Sequence, residues 1–343
     1  MDKRVTLAVA GSGKTSMLVS KLDLDRRFLI VTYTDANIEN IRQKIIQKFG
    51  HIPRNVQVST YFSFLYGFCY RPFLAMEKRS QGVTFKIPPQ RPAFKLHDDR
   101  RYMTPKRWLY SNRLADFIDR SGVLPLVRRR LEKYYDAFFV DEVQDFGGHD
   151  FSFLLEAAKA DVEICFVGDF YQHTYDTSRD GQKNSTLHDN YARYKARFVA
   201  AGLRVDTDSL KVSRRCSVSV CQFISNQLGV SIVAHEGRET AVRFECDPEV
   251  VLALYRAPSV VKLFYQEHYK YGCFSENWGA SKGADHYDDV CVVLSAPYVK
   301  AFHAETLSQL KPGPRNKLYV ACSRARGNLT FIPEQLLKQF KQK

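Results

Sequence analysis

Short, wholly apolar runs separated by longer amphipathic stretches set the pattern of this chain. Residues 4–9, 28–33, 56–59, 137–140 and 163–167 each read as a buried strand, and stretches with helical spacing follow at 37–49 and 61–70. A glycine-rich turn and an apolar-periodic helix come directly after the first strand. The pattern resumes in the C-terminal half, with strands expected at 209–212, 241–245, 290–294 and 329–332. Helices are expected there at 218–228, 259–269, 318–324 and 334–340. Strands alternating with helices predict parallel sheets and an α/β fold. The rhythm breaks at about 71–133, where Arg, Lys, Pro and aromatic residues concentrate, and this reads as a small, partly helical insertion with a basic surface. The expectation is two α/β lobes joined near 200–206. The first is 1–203, carrying that insertion; the second is 204–343, carrying a reduced insertion at about 229–276.

Composition narrows the class. With 45% hydrophobic and 26% charged residues, the chain can build a packed core, which argues against a disordered or fibrous protein. No apolar run approaches the ~20 residues of a membrane span, and no secretory signal is visible, so a cytoplasmic protein without a membrane partner is expected. None of the eight cysteines forms a C-x-x-C pair, so no zinc or dithiol site is suggested. The net charge of +14 favours a polyanionic partner, because Lys and Arg at phosphates release counterions.

The chemistry concentrates at strand ends. The first strand runs into Ala10, Gly11, Ser12, Gly13, Lys14, Thr15 and Ser16, the Gly-rich turn and helix start of a P-loop. Its glycines let backbone N–H groups converge on phosphate oxygens at a helix N-terminus. Lys14 would reach the β- and γ-phosphates, and the Thr15 hydroxyl would hold Mg²⁺. Ala8 stands where the strict motif has its first Gly. Asp141 and Glu142 follow the apolar strand 137–140, which suits a Walker B pair: Asp141 toward Mg²⁺, Glu142 toward the attacking water. Gln172, after strand 163–167, is placed to sense a γ-phosphate and orient that water.

Taken in order, AGSGKT, TYTDANIENIRQKI, DEVQD, GDFYQHTY, SRRCS, SKG and YVACSRAR resemble the motifs of superfamily 1A helicases, the UvrD/Rep/PcrA group, from Ala10 to about Ile332. The resemblance implies two tandem RecA-like P-loop NTPase domains with ATP and Mg²⁺ as cofactors. It implies that Arg215 and Arg324 act as arginine fingers on the γ-phosphate, where guanidinium forks neutralise phosphoryl charge. It implies a single-strand track containing Thr32, Tyr33, Thr34, Thr60, Phe62, Tyr175, Ser281 and Lys282, with rings stacking on bases and hydroxyls on phosphates. The sequence departs from the family in three places. The adenine-reading Gln about twenty residues before the P-loop is expected to be missing, since nine residues precede Ala10. Arg214 replaces the adenine-stacking aromatic. The fifth motif reads Lys282–His286 with one extra residue before Val290, leaving Asp285 as the candidate ribose contact.

The resemblance therefore implies an ATP-dependent DNA helicase or translocase. It would hydrolyse NTP when stimulated by single-stranded DNA or a single/double-strand junction, moving 3′→5′ and unwinding duplex. The alternative is a nucleic-acid-sensing NTPase switch that regulates a partner nuclease in repair or phage defence with little unwinding.

Overall fold

A computed structural model describes residues 1–89, 94–174, 181–235 and 237–342. The chain divides into two compact units. One comprises Met1–Leu7, Lys14–Gly168 and Tyr175–Asp206; the other comprises Ala8–Gly13, Asp169–Thr174 and Thr207–Lys343.

The first unit is built on a six-stranded sheet. In chain order its strands are β1 (Lys3–Leu7), β2 (Phe28–Thr32), β3 (Val56–Thr60), then β6 (Ala137–Val140), β7 (Glu163–Gly168) and β8 (Arg204–Asp206); β4 (Gly82–Thr84) and β5 (Trp108–Tyr110) form a separate two-stranded ribbon in the insertion. The sheet order is β3-β2-β6-β7-β1-β8, and every pairing is parallel. Strands β2 and β6 are buried along their whole length, as parallel strands covered on both faces must be, so they read as continuous apolar runs. Helix Asp35–Phe49 covers one face through Ile41 and Ile45, which join Phe28, Ile30 and Phe139 in the core. Its ends are set locally: the Thr34 hydroxyl accepts from the Asn37 N–H, and Gly50 closes the last turn in the left-handed region (φ 78°). The helix expected over 61–70 forms as a short α turn running into a π-helical stretch, Phe64–Tyr70.

The second unit holds a short ribbon, β9 (Val212–Ser213) with β10 (Val233–Ala234), and a five-stranded parallel sheet. The sheet contains β11 (Val242–Phe244), β12 (Val261–Phe264), β13 (Ser275–Asn277), β14 (Val290–Leu294) and β15 (Leu329–Pro333), in the order β11-β15-β14-β12-β13. Three expectations are corrected here. The stretch expected as a reduced insertion at 229–276 instead supplies β11, β12 and most of β13 to the sheet. The helix expected at 259–269 is the buried strand β12 followed by a 3₁₀ turn. Lys262 made that segment look amphipathic, yet it is fully buried, its ammonium donating to the Ala257 and Val260 carbonyls at 2.8 and 2.9 Å. The closing segment Glu334–Phe340 is 3₁₀ rather than α. Both units are mixed α/β with parallel sheets, the architecture of tandem RecA-like domains.

Candidate nucleotide-binding residues

In the first unit the P-loop helix and the end of β6 bring four predicted residues together. Helix Lys14–Ser20 starts where the loop ends, and β6 stops at Val140, so Asp141 and Glu142 project from the sheet's C-terminal edge. The Thr15 hydroxyl donates to Asp141 Oδ2 at 2.8 Å. The Lys14 ammonium lies 3.7 Å from Glu142 Oε1. Glu142 occupies the left-handed region (φ 56°, ψ 48°), a conformation that costs a side-chain-bearing residue of order 1–3 kcal/mol and is concentrated at functional sites. It turns the chain directly from strand into the 3₁₀ turn Val143–Asp145. Burial pushes Asp141 up to about 6, with the neighbouring Glu142 charge adding to the effect, against the Thr15 hydrogen bond and Lys14. The Lys14 ammonium thus acts on both carboxylates. A hydroxyl beside a carboxylate is a hard-oxygen donor set that fits Mg²⁺. Ser16 is exposed, and its hydroxyl accepts from Lys44 at 3.1 Å.

Gln144 was not singled out from the sequence, although it lies within the DEVQD motif. Its amide donates to Glu142 Oε2 and so orients the predicted base. Gly168, at the end of β7, makes room for this turn: a Cβ there would meet Val143 Cγ1 at 2.8 Å.

The second unit contains the first half of the P-loop together with the arginines. Gly11 has φ +71°, and a Cβ on it would meet Arg215 Cβ at 2.7 Å. Arg215 donates to the Ser323 carbonyl at 3.2 Å and pairs with Asp285. Arg324 is buried: Nε donates to the Val320 carbonyl at 3.2 Å, Nη1 donates to the Ala284 carbonyl at 3.1 Å, and Asp285 stands 3.5 Å from Nη1. Burial, then repulsion from Arg215, lowers Arg324 to about 10, while Asp285 opposes the change. Asp285, expected at the ribose, here sits between two guanidiniums; Arg214 is exposed. Gln172 is buried in the 3₁₀ turn Phe170–Gln172. Sequence reasoning also passed over a relay here. The Tyr319 hydroxyl accepts from the Ala10 N–H at 2.8 Å and donates to Asp169 Oδ2 at 2.9 Å, all within this unit and wholly buried.

The predicted strand-track residues are placed unevenly. Thr32 and Thr60 are register partners at the ends of β2 and β3, but Thr32 is fully buried, and its hydroxyl has no hydrogen-bond partner among the described residues. Thr34 and Thr60 spend their hydroxyls on helix caps. Tyr33 packs its ring on Tyr61 and against the edge of Phe146. Phe62 is half-buried and stacks on Tyr66. Ser281 is buried and donates to the Trp278 carbonyl, while Lys282 is half-buried. Tyr175 lies outside the described residues. Among those residues no helix is long and apolar enough to cross a membrane, and no group of three or more His, Cys, Asp or Glu could hold a metal ion by itself.

The sequence matches no family model and no curated protein. Among solved structures, the fold is similar to Arterivirus nonstructural protein 10, described as a helicase. The complex of that protein with DNA gives a TM-score of 0.52 at 17% identity, covering 98% of this chain and 63% of that one. The structure of the protein described without DNA gives 0.52 at 17%, covering 98% and 62%. This chain thus spans somewhat under two thirds of the helicase chains it resembles, and the likeness is one of fold.

Proposed function

We propose that the chain is a nucleic-acid-stimulated NTPase of the helicase type, using ATP and Mg²⁺ and translocating 3′→5′ on single-stranded DNA. The observation that carries this reading is the Lys14–Thr15–Asp141–Glu142 cluster. A phosphate-seeking lysine, a metal-seeking hydroxyl–carboxylate pair and a base candidate converge at the edge of a parallel sheet, where such folds bind ligands. Bound Mg²⁺ would be held by Thr15 and Asp141 and would neutralise phosphate charge. Lys14 is paired with Glu142 in the present structure. A nucleotide's phosphates compete for that ammonium, and its withdrawal frees the Glu142 carboxylate to accept a proton from water, with Gln144 holding its orientation. Arg215 and Arg324 are assigned the neutralisation of charge on the transferring phosphoryl group.

The direction of movement and the preference for DNA rest on the motif resemblance. The test measures ATP, GTP and CTP hydrolysis with and without single-stranded DNA and RNA, beside strand displacement on duplexes with a 3′ or a 5′ tail. Stimulation by single strands together with displacement from the 3′-tailed duplex supports the proposal. Stimulation without displacement supports instead the sensing switch acting on a partner such as a nuclease. Hydrolysis indifferent to every strand sinks both.

A further inference from the structure

The insertion carries most of the protein's charge. Residues 71–133 hold 16 Lys and Arg against 6 Asp and Glu, a surplus of ten out of the chain's net +14. The same segment exposes large apolar side chains. Phe85 is 75% exposed, and Met76, Ile87 and Trp108 are also open to solvent. An isolated exposed apolar residue needs no explanation. Phe85 is different because it continues an ordered series of rings. Tyr70 is buried, and Tyr66 stacks on it at 5.9 Å with 12° between planes. Phe62 stacks on Tyr66 at 6.2 Å and 10°. Phe85 then lies 5.2 Å from Phe62, tilted by 49°. Spacing by four residues on one helical stretch aligns the first three rings; the fourth is contributed by the insertion.

Exposure rises along this series from core to solvent, so burial accounts for its inner end and not for Phe85. The backbone leading into the outer ring is nevertheless held. It follows strand β4, which pairs with β5, and Gly82 lies so close to Trp108 that a Cβ there would meet the indole at 2.8 Å. Arg71 and Lys86 are exposed beside these rings in sequence, and neither makes an ion pair among the described residues. An open aromatic face that follows a paired strand, within a strongly basic segment, matches one occupant: a base whose backbone is a polyanion. Every base offers a π-face, so such stacking does not depend on sequence.

We propose that Phe85 is a stacking platform for an unpaired base, carrying a single strand beyond Phe62 and onto the basic insertion. This rests on the reading that the chain binds single strands. The test titrates the full chain into labelled oligo-dT and oligo-rU of graded length and follows anisotropy, with thermal melts as the folding control. Phe85→Ala is expected to weaken binding roughly 5- to 150-fold, the loss of one stacked base, on long oligonucleotides only. Phe85→Tyr should retain affinity. Phe85→Leu, which stays apolar but loses the ring, should not. The salt slope should be unchanged in Phe85→Ala and reduced by about one in Lys86→Ala. The result with either strand chemistry supports the proposal. If the wild type binds strands and Phe85→Ala binds equally at every length, this inference fails while the helicase-type reading stands. If the wild type binds no strand, that reading fails first. A wild-type dimer that becomes monomeric in Phe85→Ala with unchanged strand affinity would reassign the patch to self-association and overturn the proposal.

Discussion

The acidic cluster of the first unit and the arginine cluster of the second are unbalanced in opposite directions. In the first, one ammonium stands near two carboxylates, and burial with the Glu142 charge raises Asp141 against the Thr15 hydrogen bond and Lys14. In the second, two guanidiniums share Asp285, and burial with mutual repulsion lowers Arg324. Perturbed groups of this kind are more frequent at functional sites than elsewhere.

The largest effect is expected from the cationic side. If Arg215 neutralises transition-state charge, Arg215→Ala should lower kcat by about 10³–10⁵ with little change in nucleotide affinity. Arg215→Lys should rescue poorly, because an ammonium lacks the planar fork. Arg215 is a cleaner test than the buried Arg324, whose removal would also take hydrogen bonds from the Val320 and Ala284 carbonyls and leave a cavity in the core. A kcat unchanged in Arg215→Ala would break the symmetry of the two clusters. On the acidic side, Glu142→Gln should leave nucleotide binding intact and lower turnover by about 10²–10⁴, the worth of a positioned base. Steady-state rates beside nucleotide titration separate those outcomes, and wild-type turnover in Glu142→Gln would remove its assigned role.

A smaller effect probes the relay that serves neither charge set directly. Tyr319→Phe takes one partner from the buried Ala10 amide, at a cost of about 1–3 kcal/mol, and one of several from the Asp169 carboxylate. The expected signature is a lower Tm and a KM raised more than kcat is lowered, because the loop is loosened rather than the chemistry changed. Equal losses in kcat and kcat/KM would instead place the hydroxyl in the transition state.

An effect on stability alone, with no change in turnover, comes from a buried acid outside both clusters. Asp150 accepts a hydrogen bond from Tyr61 at 3.1 Å, and burial pushes it up to about 7, opposed by that bond and by His149. Its folded pKa lies above its unfolded one, near 3.8, so its contribution to stability is complete below about pH 4 and declines as pH rises toward 7. Asp150→Asn should therefore gain stability relative to wild type across that window, at most about 1.4 kcal/mol per pH unit, and run parallel to it above about pH 8. Denaturant titrations at several pH values check this. Parallel curves throughout would mean that Asp150 titrates normally.

Much of the first unit was legible in its sequence. Strands β2, β6 and β7 are continuous apolar runs because helices cover both faces of the sheet, and the acids and glycine at their ends mark where that cover stops. The second unit was harder. Strand β12 carries a buried lysine whose ammonium is satisfied only by backbone carbonyls, so the local pattern pointed to a helix. Strand β8 is too short and too polar to stand out, yet it pairs with β1 through Arg4–Arg204 and Val5–Val205.

The sequence by itself determined the chemistry that lies contiguous along the chain. The turn that opens helix Lys14–Ser20, the acids that end β6 and the order of the motifs are short-range features, fixed by backbone propensities and residue type within a few positions. Only the tertiary structure decided which charges share a partner. Asp285 lies 70 residues from Arg215, and Tyr319 lies 309 residues from the Ala10 amide it accepts from. No local pattern encodes such pairings. They arise because folding removes water from Arg324, Tyr319 and the Ala10 amide, and each buried donor or charge must then take whatever partner the packed chain brings within reach, here including the exposed Asp285.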